Sequence, residues 1–274
     1  MPFDAKRSRV VFQSLNRQLG KLSKSPSSAS VHKFRTYSRR VETILGELVA
    51  DPNRNQKKLL KLLERWRRKA GQVRDLDVEI SALGNLKVPE PAGQKAPFMR
   101  ALAQERERRE KKLAKSLDRE SLREAKRRLK RALRDLEIPE SADPMAMATR
   151  RLAELGRHSP FTEKTLHQYR IAGKRARYLA ELAGHDPSAE LLVAQLKRMQ
   201  DQIGDWHDWW KLTERAEALF GGASDSTLVA MLRNLTRAKF RQAIGTLSEA
   251  RFGLSPQTAR KAPEATAGPK AAVA

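Results

Sequence analysis

Two copies of a histidine–arginine motif carry the residues most able to do chemistry in this sequence. The first copy runs from Val31 to Arg40 and the second from Leu166 to Arg175, so His32 and His167 lie 135 positions apart. In both copies an aromatic residue stands two positions after the histidine and an arginine three positions after it. Arginine binds two phosphate oxygens through one planar group, and histidine gains charge near neutral pH. The motif is therefore suited to holding phosphate groups.

A second pair of matching segments lies downstream at nearly the same spacing. Residues Gly71–Asp75 correspond to Gly204–Asp208 at an offset of 133, with His207 standing where the first copy has Arg74. Two matches at nearly one spacing indicate an internal duplication with a period of roughly 130 residues. We therefore expect two structural repeats related by a pseudo-twofold axis.

Helical geometry places the charged residues of each motif on one face. At about 100° per residue, Arg35 and Arg39 fall within about 60° of His32, while the apolar Phe34 and Val41 fall on the opposite side. The equivalent stripe in the second copy consists of His167, Arg170, Lys174 and Arg177. Two such stripes that faced each other would concentrate positive charge in one groove.

Aspartates near the second pair of segments have two interpretations, orientation of the arginines or ligation of a metal. They are Asp75, Asp77, Asp205 and Asp208. We expect them at helix starts, where carboxylates are favoured, and within reach of the basic stripes. As metal ligands they would act together with His207, but residues two apart do not share a helix face. Asp75 and Asp208 are therefore predicted to orient the stripes, and no metal ligand is predicted.

The pattern that positions these residues is helical along nearly the whole chain. Apolar residues recur at helical spacing, and no alternating β-branched pattern competes. Breaks rich in Pro, Gly, Ser and Asp separate the segments at residues 23–30, 50–53, 88–97, 138–144, 158–160, 184–187 and 221–225. The pattern predicts ten or eleven helices in an all-α fold of two antiparallel bundles with a basic central cleft. We assign residues 1–140 and 141–254 to the two repeats and 255–274 to a disordered tail.

Charge points to a polyanionic partner. The 274 residues include 56 Lys and Arg against 32 Asp and Glu, a formal net charge of +24. Cysteine is absent, which excludes disulfides and thiolate metal sites and favours a reducing, cytoplasmic compartment. No apolar run is long enough to span a membrane, and aromatic residues make up only 5% of the chain, too few to stack many bases.

One stretch is unusually dense in charge. Between Arg100 and Arg134 there are fifteen basic and six acidic residues, and Glu105–Lys112 is an unbroken run of charged side chains. Such a run cannot present a wide apolar face to a core. We interpret it as the solvated face of a long helix that projects into solvent or lies over a groove.

As a set, these motifs resemble the CHAD family, the conserved histidine α-helical domain, over roughly residues 4–252. The resemblance rests on the two histidine motifs together with Arg74–Val78 and Leu196–Asp208. It implies two helical bundles with a basic pore or cleft between them, binding of inorganic polyphosphate and targeting to polyphosphate granules. The family's pore residues carry over to His32, Arg35, Arg39, Arg40, Arg74, His167, Arg170, Lys174, Arg175, Arg177 and Lys197.

Three functions are compatible with these observations. The first is a non-catalytic module, without a cofactor, that binds polyphosphate or other phosphate-rich anions. The second is a nucleic-acid-binding protein, which the charge alone permits although no zinc-finger spacing or RNA-recognition signature occurs. The third is a metal-dependent phosphohydrolase that uses the four aspartates and the histidines. We expect polyphosphate as the partner, nucleic acid only as a weaker competitor, and no membrane.

Overall fold

Helices make up the whole regular structure, as predicted. The computed structural model describes residues 3–87, 93–156, 161–183 and 186–253. Over these ranges there are nine α-helices and one π-helical segment, and no strand. They are α1 (Ala5–Lys24), α2 (Ser28–Thr43) with its π-helical continuation (Ile44–Leu48), α3 (Arg54–Asn85), α4 (Lys95–Ser116), α5 (Arg119–Arg134), α6 (Pro144–Gly156), α7 (Glu163–Ala180), α8 (Pro187–Phe220) and α9 (Thr227–Gly253).

Side-chain caps explain where several helices begin and end. Asp4 accepts hydrogen bonds from the backbone of the first turn of α1, and Asn53 forms a capping box with Gln56 at the start of α3. Gly221 has a positive φ of 82°, which ends α8. The break between α4 and α5 was not predicted from the sequence. Asp118 marks it by capping α5, where its side chain accepts a hydrogen bond from the Ser121 backbone.

The carboxylates expected at helix starts lie in the middle of helices, so that prediction is wrong. Asp75 and Asp77 lie in α3, and Asp205 and Asp208 lie in α8. Buried apolar residues keep their helical spacing across both regions: Val73, Leu76, Ile203 and Trp206. Because α3 and α8 therefore run unbroken for 32 and 34 residues, the described ranges contain nine α-helices and not the ten or eleven predicted.

The apolar core is shared between the two predicted repeats. Its larger cluster takes Leu15 and Leu63 from one repeat and Leu166 and Ile203 from the other. A second cluster joins the C-terminal halves of α3 and α8 to α4 and α9. α2 packs on both α3 and α7, and α3 packs on α8. This packing brings the two histidine motifs, on α2 and α7, against each other.

Two predictions fall outside the described residues: the tail at 255–274 and the break at 158–160. Within the described ranges, every helix is too short or too polar to cross a bilayer.

Candidate functional site

Helices α2 and α7 bring six basic side chains together at their contact. The central cluster is defined as His32, Arg35, Arg39, His167, Arg170 and Lys174. Phe34 and Leu166 are fully buried on the opposite faces and fix the two helices in the core. The six charges act on one another across the contact: Arg170 lowers the pKa values of Arg35 and Arg39, and Lys174 lowers that of His32. The stripes expected from the sequence therefore meet in the folded chain.

Arg35 is held in place by α3. Its Nη1 atom donates a hydrogen bond to the carbonyl oxygen of Arg67 at 3.0 Å. The guanidinium lies directly over Gly71, where a Cβ atom would overlap with it. Burial lowers the pKa of Arg35 to about 10, and the nearby carboxylate of Asp75 opposes this shift. A glycine at position 71 thus makes room for a charged group that the core partly encloses.

Lys174 is surrounded by the arginines of the central cluster. Burial, followed by the charges of Arg170, Arg39 and Arg35, lowers its pKa to about 7. In the part of the chain that the structure describes, no carboxylate lies within ion-pair distance of Arg39, Arg170 or Lys174. The Nε atom of Arg170 is buried and makes no hydrogen bond within the same ranges. The cluster is therefore a concentration of positive charge in which, among the described residues, carboxylates act only from beyond ion-pair distance.

The two histidines lie at the edges of the central cluster. His32 is exposed to solvent on the surface of α2, but neighbouring atoms cover part of its ring. This partial burial lowers its pKa, and the charges of Arg74 and Arg35 lower it further. The ring of His167 stacks on that of His207, with the ring centroids 5.9 Å apart. Partial burial also lowers the pKa of His167, followed by the charge of His207. Both rings are therefore easily deprotonated unless an anion lies nearby.

Arg40 and Arg177, which were also expected at the site, form ion pairs with Glu181. Arg40 Nε donates to a carboxylate oxygen of Glu181 at 2.9 Å, and Arg177 Nε lies 3.4 Å from the other oxygen. Both guanidinium groups also lie over the ring of Tyr178. This arrangement joins α2 to α7 beside the central cluster, with two arginines sharing one carboxylate.

The remaining predicted basic residues lie outside the central cluster. Arg74 donates to the hydroxyl of Ser28 at 3.1 Å and lies close enough to His32 to lower its pKa. Arg175 and Lys197 are exposed, on α7 and α8. Lys197 lies about three turns before Asp208 on the same face of α8, about 16 Å along the helix axis.

The aspartates divide into two pairs with different partners. Asp75 and Asp208 act on the central cluster by raising the pKa values of Arg35 and Lys174, respectively. Asp77 is paired instead with Arg106 at 2.6 Å, and Asp205 with Lys239 at 2.8 Å. Within the described residues, no three His, Cys, Asp or Glu side chains are grouped so that they could hold a metal ion.

Comparison with known families identifies the chain. The model of the CHAD domain matches residues 11–217, which is most of the sequence. This protein is a member of the CHAD domain family.

Solved structures show the same CHAD fold. The crystal structure of the CHAD domain from the plant Ricinus communis matches with a TM-score of 0.67 at 18% identity, covering 93% of this chain and 90% of the other. PptA from Streptomyces chartreusis matches with a TM-score of 0.61 at 14% identity, covering 91% and 99%. Among curated proteins, no match to the sequence was found.

Two basic residues of this CHAD domain act on the central cluster although they were not predicted. Arg67 lowers the pKa values of Arg35 and Arg39 while its own guanidinium pairs with Glu42 at 2.6 Å. Lys211 lowers the pKa of His167. Helical spacing could have found both, since Arg67 lies two turns before Arg74 and Lys211 one turn after His207.

Proposed function

We propose that this CHAD protein binds inorganic polyphosphate at the central cluster and that it does so without catalysis. The observation that carries the proposal is that no described carboxylate lies within ion-pair distance of Arg39, Arg170 or Lys174. Like charges held together in a partly buried place repel one another, so a bound polyanion relieves an unfavourable interaction as well as making new ones. A linear phosphate chain offers many oxygens to the forked arginine side chains along its length.

The helices on either side of the cluster support an extended binding path. We propose that residues 1–140 and 141–254 form two repeats related by a pseudo-twofold axis, in which α2 corresponds to α7 and α3 to α8. The chain would then run between the two repeats in a basic cleft. Arg74, Arg175 and Lys197 would contact it beyond the central cluster, and Arg40 and Arg177 would contribute to the positive field near Glu181.

The proposed ligand also indicates where the protein acts. A polyphosphate-binding module is expected to accumulate on polyphosphate granules in the cytoplasm. A fluorescent fusion of the full chain should co-localise with granules. The same fusion carrying Arg35→Ala and Arg170→Ala should spread through the cell if the central cluster is responsible for the targeting.

Salt dependence tests the electrostatic part of the proposal. When a flexible polyanion is neutralised, counterions are released, and the slope of log K against log salt is about −0.7 per phosphate contacted by analogy with single-stranded nucleic acid. With three arginines and Lys174 in the central cluster and further cations along the proposed path, a slope of several units is expected for polyphosphate binding. A nearly flat salt response would refute the proposal, because apolar contacts or shape would then dominate.

Competition and turnover separate this proposal from the two alternative functions. Polyphosphate bound at the central cluster should be displaced by DNA only at a much higher phosphate concentration. Incubation with polyphosphate and Mg²⁺ or Mn²⁺ should release no phosphate. Displacement at equal phosphate concentrations would favour a nucleic-acid-binding site, and metal-dependent phosphate release would identify a phosphohydrolase.

A further inference from the structure

A second concentration of positive charge lies on α1 and α5. The two helices pack side by side, and Lys126 of α5 lies next to Gly20 of α1, with its Nζ atom 3.7 Å from where a Cβ would stand. Arg17 and Lys24 lie one turn before and after Gly20 on the same side of α1. The α1–α5 face is defined as Arg17, Lys21, Lys24, Arg119, Arg123, Lys126 and Lys130. All of them are exposed except Lys126, which is half-buried.

This face is separate from the central cluster. The apolar side of α1, which includes Phe12, Leu15 and Leu19, is fully or almost fully buried in the core, where α1 packs on α2. The exposed cations of α1 therefore point away from α2 and its histidine motif. A ligand on the α1–α5 face would not need to enter the central cluster.

The two sides of α5 carry different charged residues. At about 100° per residue, the three exposed cations of this face on α5 fall within about 60° of Lys126, on the side toward α1. Glu120 and Glu124 fall about 120° or more from Lys126. Glu124 pairs with Arg127 and Arg128, and the Arg128 carbonyl accepts a hydrogen bond from Asn55 of α3. The side of α5 that carries Glu124 and its two arginine partners is therefore turned toward α3, and the side whose charged residues are all cations is turned toward α1.

None of the seven cations is neutralised by the protein. Across the described ranges, no carboxylate lies within ion-pair distance of any of them. α1 contains no acidic residue at all. Seven unpaired cations on two adjacent helices form a surface that is complementary to a polyanion.

We propose that the α1–α5 face binds the phosphate backbone of duplex nucleic acid without reading its sequence. The cations of α5 from Arg119 to Lys130 extend about 16 Å along the helix axis. A duplex offers one negative charge per about 1.7 Å of its own axis, so several phosphates can be reached at once. Phosphate contacts fix position but carry no sequence information.

Stiffness and shape favour a duplex over the other polyanions. Six of the seven side chains of this face are exposed, and they lie on two helices that pack side by side. A flexible phosphate chain would lose conformational freedom on such a surface, whereas a duplex is already stiff and presents its phosphates in a fixed array. An anionic membrane would be bound more stably with apolar anchors, but the only large apolar side chain exposed on the described parts of α1 and α5 is Val10.

The decisive test removes three charges from this face. The variant Arg119→Gln, Arg123→Gln, Lys130→Gln keeps helix propensity nearly unchanged. Its matched control, Arg198→Gln, Arg237→Gln, Arg241→Gln, removes three exposed cations from α8 and α9 and changes the net charge equally. Binding is measured by fluorescence anisotropy on two unrelated duplexes of about 20–30 base pairs, over a range of salt concentrations. Circular dichroism and thermal melting establish that each variant is folded.

We expect the α5 variant to bind both duplexes about tenfold or more weakly, with a salt slope smaller by about 3. The control should keep the duplex affinity to within about twofold, which is a smaller change than the loss of one phosphate contact would cause. The variant Arg35→Ala, Arg170→Ala should keep duplex binding although it loses polyphosphate, which makes failure at this face distinguishable from failure at the central cluster.

Four results would overturn the proposal. The first is unchanged duplex affinity in the α5 variant, and the second is an equal loss in the control, which would show an effect of net charge alone. The third is loss of duplex binding in Arg35→Ala, Arg170→Ala, which would place the duplex at the central cluster. The fourth is binding of wild-type protein to phosphatidylserine vesicles, but not to either duplex, that the α5 variant abolishes. That result would identify the face as a membrane-binding surface.

Discussion

The central cluster and the charged part of α4 contain similar side chains but differ in what neutralises them. On α4, Arg106 pairs with Asp77 and Glu110, and Arg109 pairs with Glu105. In the central cluster, Arg39, Arg170 and Lys174 have no carboxylate within ion-pair distance among the described residues. A dense run of charge can therefore be largely paired within the protein, whereas the cations of the central cluster remain without ion pairs.

The difference originates in the local sequence. In α4, glutamates stand three or four positions from arginines, which places the opposite charges on adjacent turns. The motif on α2 has no acidic residue before Glu42, and α7 has none between Glu163 and its end at Ala180. α4 also does not project into solvent, as one interpretation of its sequence had it. It packs on α3, and Arg106 is only 25% exposed because it reaches the buried carboxylate of Asp77.

The largest expected effect comes from removing one arginine from each half of the central cluster. A charge-assisted hydrogen bond is worth about 1.5–3 kcal/mol, so Arg35→Ala with Arg170→Ala should weaken polyphosphate binding by roughly two to four orders of magnitude if the effects add. The melting temperature should change little, because relief of repulsion offsets the lost packing of Arg35 on Gly71. Titration calorimetry and thermal melting measure the two quantities. Unchanged affinity with a lower melting temperature would show that the arginines are structural.

The second prediction concerns pH. With a pKa of about 7 in the free protein, Lys174 loses its charge as the pH rises, although a bound anion favours the charged form. Binding above about pH 7 then takes up a proton, so polyphosphate affinity should fall as the pH rises, by up to about tenfold per pH unit. The groups facing Lys174 are Arg170, Arg39, Arg35 and Asp208.

The variant Lys174→Arg is the control for this pH dependence, because arginine stays charged over the whole range. Its affinity should fall much less between pH 7 and 9 than that of the wild type, and the change that remains comes from the two histidines and the phosphate chain, which are the same for both proteins. A wild-type profile identical to that of Lys174→Arg would contradict the assignment. Calorimetry in two buffers of different ionisation enthalpy counts the proton directly.

A smaller effect is expected from moving a charge without removing it. In Gly71→Ala the new Cβ overlaps with the guanidinium of Arg35, which must swing away. Polyphosphate affinity should fall about tenfold, equivalent to about 1.4 kcal/mol, for the loss of one well-placed contact. Stability should hold or rise by roughly 0.5–1 kcal/mol, since alanine is the better residue inside a helix. A loss of stability with unchanged affinity would mean that the position of Arg35 is unimportant for binding.

The smallest effect on binding is expected from the paired arginines of α4. Arg106→Ala with Arg109→Ala should change polyphosphate affinity by no more than about twofold. The loss of one charge-assisted hydrogen bond to the ligand would change it far more. The same variant should lower the free energy of unfolding by about 1–3 kcal/mol, because the buried carboxylate of Asp77 loses its partner. Chemical denaturation and polyphosphate titration of this variant therefore give the opposite pattern to Arg35→Ala with Arg170→Ala. If both double variants lost affinity equally, the contrast between paired and unpaired cations would be wrong.

Most of the helices and the faces of the two motifs are predictable from the amino-acid sequence. Periodic apolar residues fix which side of α2 or α7 is buried, so the placement of His32, Arg35 and Arg39 on one exposed stripe follows from helical spacing alone. The same periodicity was misread at Asp75 and Asp208, where nearby aspartates suggested helix starts although the buried apolar positions continue. Local patterns predict elements well where burial and charge agree, and poorly where they compete.

Which cations lack an ion pair depends on how the helices pack. Arg40 is neutralised by Glu181, 141 positions away in the sequence, and Arg106 by Asp77 on another helix. Arg35 lies over Gly71 because α2 crosses α3 at that point, and Lys174 reaches the arginines of α2 because α7 packs against it. Helical spacing sets the direction of a side chain around its own axis, but it does not set which other helix lies in that direction. An ion pair between helices depends on which helix lies in that direction. The proposed binding site at the central cluster is therefore a property of the packing.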